Sequence, residues 1–315
     1  MDDSSQLDPG TGELIALART LGEEVDLALF GDRDAAEQAI ELGANRVYLF
    51  GGEALARAGL DGTLQAYERI CSESDPSAVL LSKTDAGADI GPRLATRIGA
   101  TLAQDCTAVG LDSDGRLTAT RPVYGGNAVA RMSFGPGQTG VAIVRGKVYE
   151  PLGADSTRTG EIVEMEPEID PARVRVRSIR KVVQATTGIR LEDAAAVVSG
   201  GRGLGGPEPF EHLADLATLL GGAVGASRAA CDAGWIDHAS QVGLTGKTIT
   251  PDVYITVGIS GASQHMSGCS GAKNIVSINS DESANIFKES QYGVVGDWKA
   301  VIPAFLATVR ELRSG

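Results

Sequence analysis

Between Val198 and Trp298 the chain repeats one pattern, a short apolar, β-branched run followed by a polar cluster rich in glycine. The clusters are Ser199-Gly200-Gly201-Arg202-Gly203, Gly225-Ala226-Ser227-Arg228-Ala229-Ala230, Gln241-Val242-Gly243-Leu244-Thr245-Gly246-Lys247 and Gly258-Ile259-Ser260-Gly261-Ala262-Ser263-Gln264-His265. Asn279 and Gly293-Val294-Val295-Gly296-Asp297 close the series. Each cluster falls at the carboxyl end of an expected strand, and in an open α/β sheet those ends converge on one ligand crevice. Glycine lets the backbone approach phosphate, and a helix starting there offers free N–H groups and a positive dipole end. The stretch reads as a cradle for a nucleotide.

A chain of 315 residues suggests about two domains. Ahead of the cradle, helical patterns over 13–21, 34–42, 62–71 and 90–98 alternate with strand patterns over 25–30, 46–50, 78–82 and 105–111. This alternation predicts βαβ units and a parallel sheet. Met1 to Gly12 supplies no apolar strand ahead of the first helix. From Leu117 to Tyr149 the pattern shifts to short strands with turns at Gly125-Gly126 and Gly135-Pro136-Gly137, an antiparallel excursion. Val174 to Val183, where valine alternates with arginine, reads as an edge strand with a solvated basic face. The boundary is placed near residue 185, giving an α/β domain over 1–185 and a doubly wound domain over 186–315. The latter should hold strands at 195–199, 223–225, 253–257, 275–278 and 293–295, and helices over 208–220, from 229, from 263 and over 303–312.

Charge narrows the function classes. Asp and Glu total 41 against 28 Lys and Arg, and only seven of those cations are Lys. An acidic, lysine-poor surface stays hydrated and self-repelling in a high-salt cytoplasm, such as that of a halophilic archaeon. A net charge of −13 with no compensating basic face disfavours nucleic acid. The four cysteines have no CxxC spacing, which argues against a disulfide framework or a structural zinc and fits a reducing compartment. The polar start resembles neither a signal peptide nor a transit peptide, and no apolar run is long enough to span a membrane. A cytoplasmic location is expected. No nucleophile is paired with a general base, and no metal cluster is evident.

The glycine-flanked blocks, in this order, resemble the alpha subunit of electron transfer flavoprotein. Gly91-Pro92-Arg93-Leu94-Ala95 and Asp105-Cys106-Thr107 extend the resemblance into the first half. It implies a nucleotide-hydrolase-like amino-terminal domain and a carboxyl-terminal FAD-binding domain. It also implies a heterodimer with a beta subunit, collecting electrons from flavin dehydrogenases such as acyl-CoA dehydrogenases, as in fatty-acid β-oxidation, and passing them to a membrane quinone oxidoreductase. An NADH-linked, electron-bifurcating complex is an alternative, as is a nucleotide-binding scaffold without a redox role.

By the same resemblance, Arg228 lies against the flavin ring, where a fixed cation favours reduced and anionic forms. Thr245 presents its hydroxyl near N5, and His265 faces the N1/C2-carbonyl edge. Val242, Gly243, Leu244, Gly261 and Ala262 offer backbone contacts, and Ser260, Ser263 and Gln264 reach the phosphates and ribityl chain. Ser227 and Arg202 lie near the diphosphate. Asn279 and Asp297 hold the adenosine end, and Trp298 is grouped with these cofactor-binding residues. Plainer readings stand beside these: an ion pair for Arg228, a helix cap for Thr245 or Asp297, a satisfied core histidine for His265. The family carries a polar residue where this chain has Leu244, so one side-chain contact near the phosphates is expected to be missing.

Overall fold

A computed structural model describes residues 7–51, 53–124, 128–176 and 188–314. The chain divides into two compact units, one of Met1–Val123 with Ala128–Val182 and one of Tyr124–Asn127 with Val183–Gly315. The expected boundary near residue 185 lies outside the described residues.

The first unit opens with α1 (Pro9–Leu21), four residues earlier than apolar periodicity suggests. The Asp8 carboxylate caps it by accepting from the Gly10 N–H (2.8 Å), and Pro9 takes the first helical position, where a missing N–H costs nothing. Next come β1 (Asp26–Phe30), α2 (Arg33–Glu41), β2 (Arg46–Phe50), α3 (Glu53–Ser74), β3 (Ala78–Ser82) and α4 (Asp85–Ile98). The latter starts five residues before the apolar periodicity because Thr84 caps it, accepting from the Gly87 N–H at 3.1 Å. Then follow β4 (Thr101–Cys106), β5 (Ala108–Leu111), β6 (Leu117–Val123), β7 (Ala128–Ser133), β8 (Gly140–Val144) and β9 (Glu161–Met165).

The parallel strands form two three-stranded sheets, β1-β2-β9 and β3-β8-β4, rather than one. Among the described residues no strand precedes α1. The antiparallel excursion is confined to β5-β6-β7. The strand β8, expected within it, is instead the buried centre of a parallel sheet. Its sequence, Gly-Val-Ala-Ile-Val, has no polar alternation, as suits a strand covered on both faces.

The edge strand expected from Val174 is not formed over Val174–Val176, and the rest of that stretch lies outside the described residues. The Arg175 and Val176 N–H groups donate instead to one oxygen of the buried Asp61 carboxylate, at 2.7 and 3.1 Å. The strand beside β2 is β9, which the sequence reading passed over.

The second unit follows with β10 (Ala196–Gly200), α5 (Phe210–Leu220), β11 (Ala223–Ala226), α6 (Arg228–Asp232), β12 (Val253–Val257), α7 (Ser263–Met266), β13 (Asn274–Asn279), α8 (Ile286–Glu289), β14 (Tyr292–Val295) and α9 (Trp298–Ser314). All five strands are parallel, in the order β11-β10-β12-β13-β14. Both faces are covered. Val198, Ile255 and Ile278 pack with Leu213, Leu216, Ile302 and Leu306 of α5 and α9. Val197, Tyr254 and Ile275 pack with Val242, Ile249 and Met266 on the other face. The chain leaves β10 to one side for β11 and to the other for β12, so the order reverses between β10 and β12. Ligands of doubly wound sheets bind outside the carboxyl ends at such a switch point.

Candidate functional site

Backbone hydrogen bonds stitch the loops at that end of the sheet into one surface. Gly201 N donates to the Val257 carbonyl (2.8 Å) and Gly203 N to that of Gly258 (3.0 Å), closing the turn after β10 onto the turn after β12. Ser227 N donates to the Gly200 carbonyl (3.0 Å), which joins the start of α6 to the same place. A Cβ added to Gly201 would lie 2.2 Å from the Gly258 carbonyl oxygen, so only glycine permits this approach. The 241–247 loop is tied in from the side, with Val242 N bonded to the Ala226 carbonyl (2.9 Å) and Leu244 N to that of Gln264 (2.7 Å).

Among the residues expected to form the site, Arg202, Arg228, Leu244, Thr245, Ser260, Ala262, Ser263, Gln264 and Asp297 are exposed. Val242, Gly243, Gly261 and His265 are buried, while Ser227, Asn279 and Trp298 are half-buried. The stitching brings Arg202, Ser227, Val242 to Thr245 and Ser260 to His265 onto contiguous loops. Arg228, at the first turn of α6, forms an ion pair with Asp232 (3.2 Å) while its side chain stays 67% exposed. The ion-pair reading of this arginine is therefore realised, yet its guanidinium remains open to solvent. Thr245 caps no helix: it lies in a turn, and its Oγ1 accepts from Nε2 of the buried Gln241 (3.0 Å).

Asn279 and Asp297, expected at the adenosine end, and Trp298, grouped with the cofactor-binding residues, have structural work of their own. Asn279 donates through Nδ2 to the Ile259 carbonyl (2.9 Å) and accepts at Oδ1 from the Asp281 N–H (3.0 Å). The Asp297 carboxylate accepts from the Lys299 N–H (3.0 Å), capping α9. Trp298 packs on the face that holds α5 and α9.

His265 is neither solvent-facing nor a fully satisfied core residue. The residue is 7% exposed, its Nε2 lies 2.8 Å from the Tyr254 hydroxyl, and its buried Nδ1 has no hydrogen-bond partner. Burial in an apolar setting disfavours the charged ring and brings its pKa down to about 4. At neutral pH it is an uncharged imidazole with one unpaired nitrogen. Sequence reasoning missed Tyr254 and Gln241, because a tyrosine inside an apolar strand and a glutamine beside a valine carry no signal of their partners.

An orphaned buried ring nitrogen, exposed guanidiniums and a glycine-lined backbone surface fit a dinucleotide, with donors for phosphates and for a polar ring. This defines a nucleotide-binding α/β domain of the doubly wound class. Comparison with known proteins specifies the class. Residues 190–270 match the electron transfer flavoprotein FAD-binding domain, and residues 1–170 match the electron transfer flavoprotein domain. An electron transfer flavoprotein subunit alpha from Thermoanaerobacterium thermosaccharolyticum is 38% identical over 304 residues, covering 96% of this chain and 92% of that protein. Proteins of the same name from Megasphaera elsdenii and Bacillus subtilis are 37% and 36% identical, covering 95% and 96% of this chain and 90% and 93% of theirs.

The chain belongs to the family of electron transfer flavoprotein alpha subunits. It is an electron-transfer protein with an FAD-binding domain, and membership implies a beta-subunit partner and dehydrogenase partners in general. Among the described residues no helix is long and apolar enough to cross a membrane.

Proposed function

We propose that the second unit holds one FAD on the loops following β10, β11 and β12. We further propose that, joined to a beta subunit in the cytoplasm, the chain carries electrons from acyl-CoA or other flavin dehydrogenases to a membrane quinone oxidoreductase. The observation that carries this reading is the stitching of the glycine turns after β10 and β12 to each other and to the start of α6 at the switch point.

FAD supplies the redox chemistry when bound; the chain's own residues bind, orient and bias it. The Arg228 guanidinium is a fixed cation for the flavin ring, favouring states that carry more electron density. The Asp232 partner does not consume this capacity, because an exposed ion pair is screened by water. Thr245 Oγ1 already accepts from Gln241, which orients its own O–H toward an acceptor such as flavin N5. His265 offers a ring nitrogen to the N1/C2-carbonyl edge. Ser260, Ser263 and Gln264, with the backbone of Val242, Gly243, Leu244, Gly261 and Ala262, take the ribityl and phosphate groups. Arg202 and Ser227 take the diphosphate. Asn279, Asp297 and Trp298 shape the adenosine end through the loops they hold. At Leu244, 66% exposed, only the main chain is suited to a polar contact.

Co-expression with a beta subunit, a flavin count and reduction by an acyl-CoA dehydrogenase test the reading. One FAD per heterodimer, reduced by the dehydrogenase and reoxidised by a quinone reductase, is the expected result. A heterodimer without flavin would sink it. Two flavins with NADH oxidation would replace it with the bifurcating alternative.

A further inference from the structure

We infer that His238 is a proton-linked positioning residue for Thr245, acting through the Gln241 carboxamide: a protonated ring leaves the Thr245 hydroxyl proton free for the flavin, and a neutral ring takes that freedom away. The inference deepens the reading above and rests on its placing of Thr245 at the flavin.

One polar chain joins two residues proposed for the flavin ring. Arg228 Nε lies 3.2 Å from Asp232 Oδ2, and Asp232 Oδ1 lies 3.9 Å from His238 Nε2. His238 Nδ1 lies 3.3 Å from Gln241 Oε1, and Gln241 Nε2 lies 3.0 Å from Thr245 Oγ1. The His238 side chain is 65% exposed and exchanges protons with water, whereas Gln241 is 5% exposed. Backbone bonds close the loop around the carboxamide: Lys247 N donates to the Gln241 carbonyl (2.6 Å) and Gly243 N to that of Lys247 (3.2 Å). Thr245 therefore stays within reach whichever way the carboxamide faces.

A buried carboxamide needs an acceptor at its nitrogen and a donor at its oxygen, because each group left unmade costs its desolvation. Protonated His238 donates from both ring nitrogens. Gln241 must then turn Oε1 to Nδ1 and Nε2 to Thr245, since the opposite placing sets two N–H groups against each other. Thr245 Oγ1 accepts, and its own proton remains unspent. When the ring is neutral, the Asp232 carboxylate keeps the remaining proton on Nε2, and Nδ1 carries a lone pair. The carboxamide now turns Nε2 to Nδ1, and Oε1 meets Thr245 Oγ1. Two oxygens at that distance need a proton between them, and the hydroxyl supplies it. The charged groups around the ring are Asp232, with Arg228 behind it, and Asp237, whose carboxylate accepts from the Ala239 N–H (2.7 Å). Burial pushes the nearby Cys231 thiol up, so it stays uncharged.

The test measures FAD retention from about pH 8 to about pH 5, the range in which a histidine ring changes charge. Wild type is compared with His238→Phe, Gln241→Met and Thr245→Val, each as the full chain in complex with its beta subunit. Wild-type retention should tighten about tenfold as the ring takes up its proton, the value of one hydrogen bond. Each variant should lose that tightening, because each breaks a different link of the same chain. A direct effect of the His238 charge on the flavin would persist in Thr245→Val and in Gln241→Met, and would overturn the inference. So would a wild-type profile that His238→Phe leaves unchanged. Should Gln241→Met fail to fold, His238→Phe and Thr245→Val, both at exposed positions, carry the comparison. Absence of FAD from the wild-type complex would overturn the function proposed above instead. Nuclear Overhauser contacts of the Gln241 side-chain NH₂ protons, to Thr245 in acid and to the His238 ring in base, would still test the turn of the carboxamide. Contacts that do not switch would overturn the inference.

Discussion

Arg228 Nε lies 3.2 Å from Asp232 Oδ2, one helical turn away, and the two side chains remain 67% and 52% exposed. Such a pair neither locks the arginine nor contributes much to the fold. Two substitutions separate its structural from its functional part. Asp232→Asn should change stability by no more than about 0.5 kcal/mol. Arg228→Ala should weaken FAD retention about tenfold, the value of one hydrogen bond from a charged donor, and lower the flavin potential. Denaturant titration and spectroelectrochemistry of the two variants check this. A potential unchanged by Arg228→Ala would remove the arginine from the flavin site.

Gly201 and Gly258 bring two turns into backbone contact at the point where strand order reverses. Alanine at 201 would press its Cβ against main chain that cannot rotate away. Gly201→Ala should destabilise the second unit by about 2 kcal/mol, an overpacking cost, and abolish FAD retention. Gly146→Ala, an exposed position with nothing within 4 Å of the added methyl, should stay within about 0.5 kcal/mol of wild type. Thermal unfolding with and without FAD distinguishes the two.

The second unit was legible almost throughout because its code is local. Runs such as Val253–Val257 end abruptly in glycine, and a strand followed by such a turn has few other folds available. The first unit was harder where local and tertiary signals diverged. The excursion was expected to include Gly140–Val144 because glycine turns precede it, but its uninterrupted apolar run belongs between β3 and β4. Val174–Val176 alternates like a strand, yet the Asp61 carboxylate takes its N–H groups before any neighbouring strand can. Glycine motifs located the loops of the site. They could not show that Asn279 and Asp297 spend their side chains on loop and helix-cap bonds, nor that Tyr254 reaches His265. Such pairings arise only once distant strands and loops are packed together.

His265 should impose a pH dependence on the stability of the second unit. Burial holds its folded pKa near 4, below the value of about 6.5 for a free histidine. The unfolded chain therefore binds more protons between those values, and stability rises with pH across that window. The contribution is fully present above pH 6.5 and is lost as pH falls toward 4. Replacing His265 with Gln should flatten the curve by at most about 1.4 kcal/mol per pH unit in that interval. Denaturant midpoints from pH 7 to pH 4, read as the difference between wild type and variant, supply the measurement. A difference that stays constant would mean that the ring binds its proton equally well in the folded and unfolded chain.

In the first unit, Asp61 is the corresponding acidic case and the sign is the same, because its folded pKa is again the lower one and stability again rises with pH. Its side chain is 4% exposed, pairs with Arg93, and accepts from the backbone of Arg175 and Val176. The hydrogen bond from Arg93, then that from Arg175, hold the carboxyl down to about 2 against the opposing effect of burial. Its stabilising contribution is thus complete above the unfolded carboxylate pKa of about 4 and disappears as pH falls toward 2. Asp61→Ala leaves Arg93 without this partner and two backbone donors without their acceptor. It should cost about 3 kcal/mol at pH 7, within the range for breaking a buried ion pair from one side. Asp61→Asn keeps an acceptor for the two N–H groups and should cost less. Chemical denaturation at pH 7 and pH 3 would show the deficit of Asp61→Ala shrinking in acid; a deficit of equal size at both would assign the loss to packing rather than to charge.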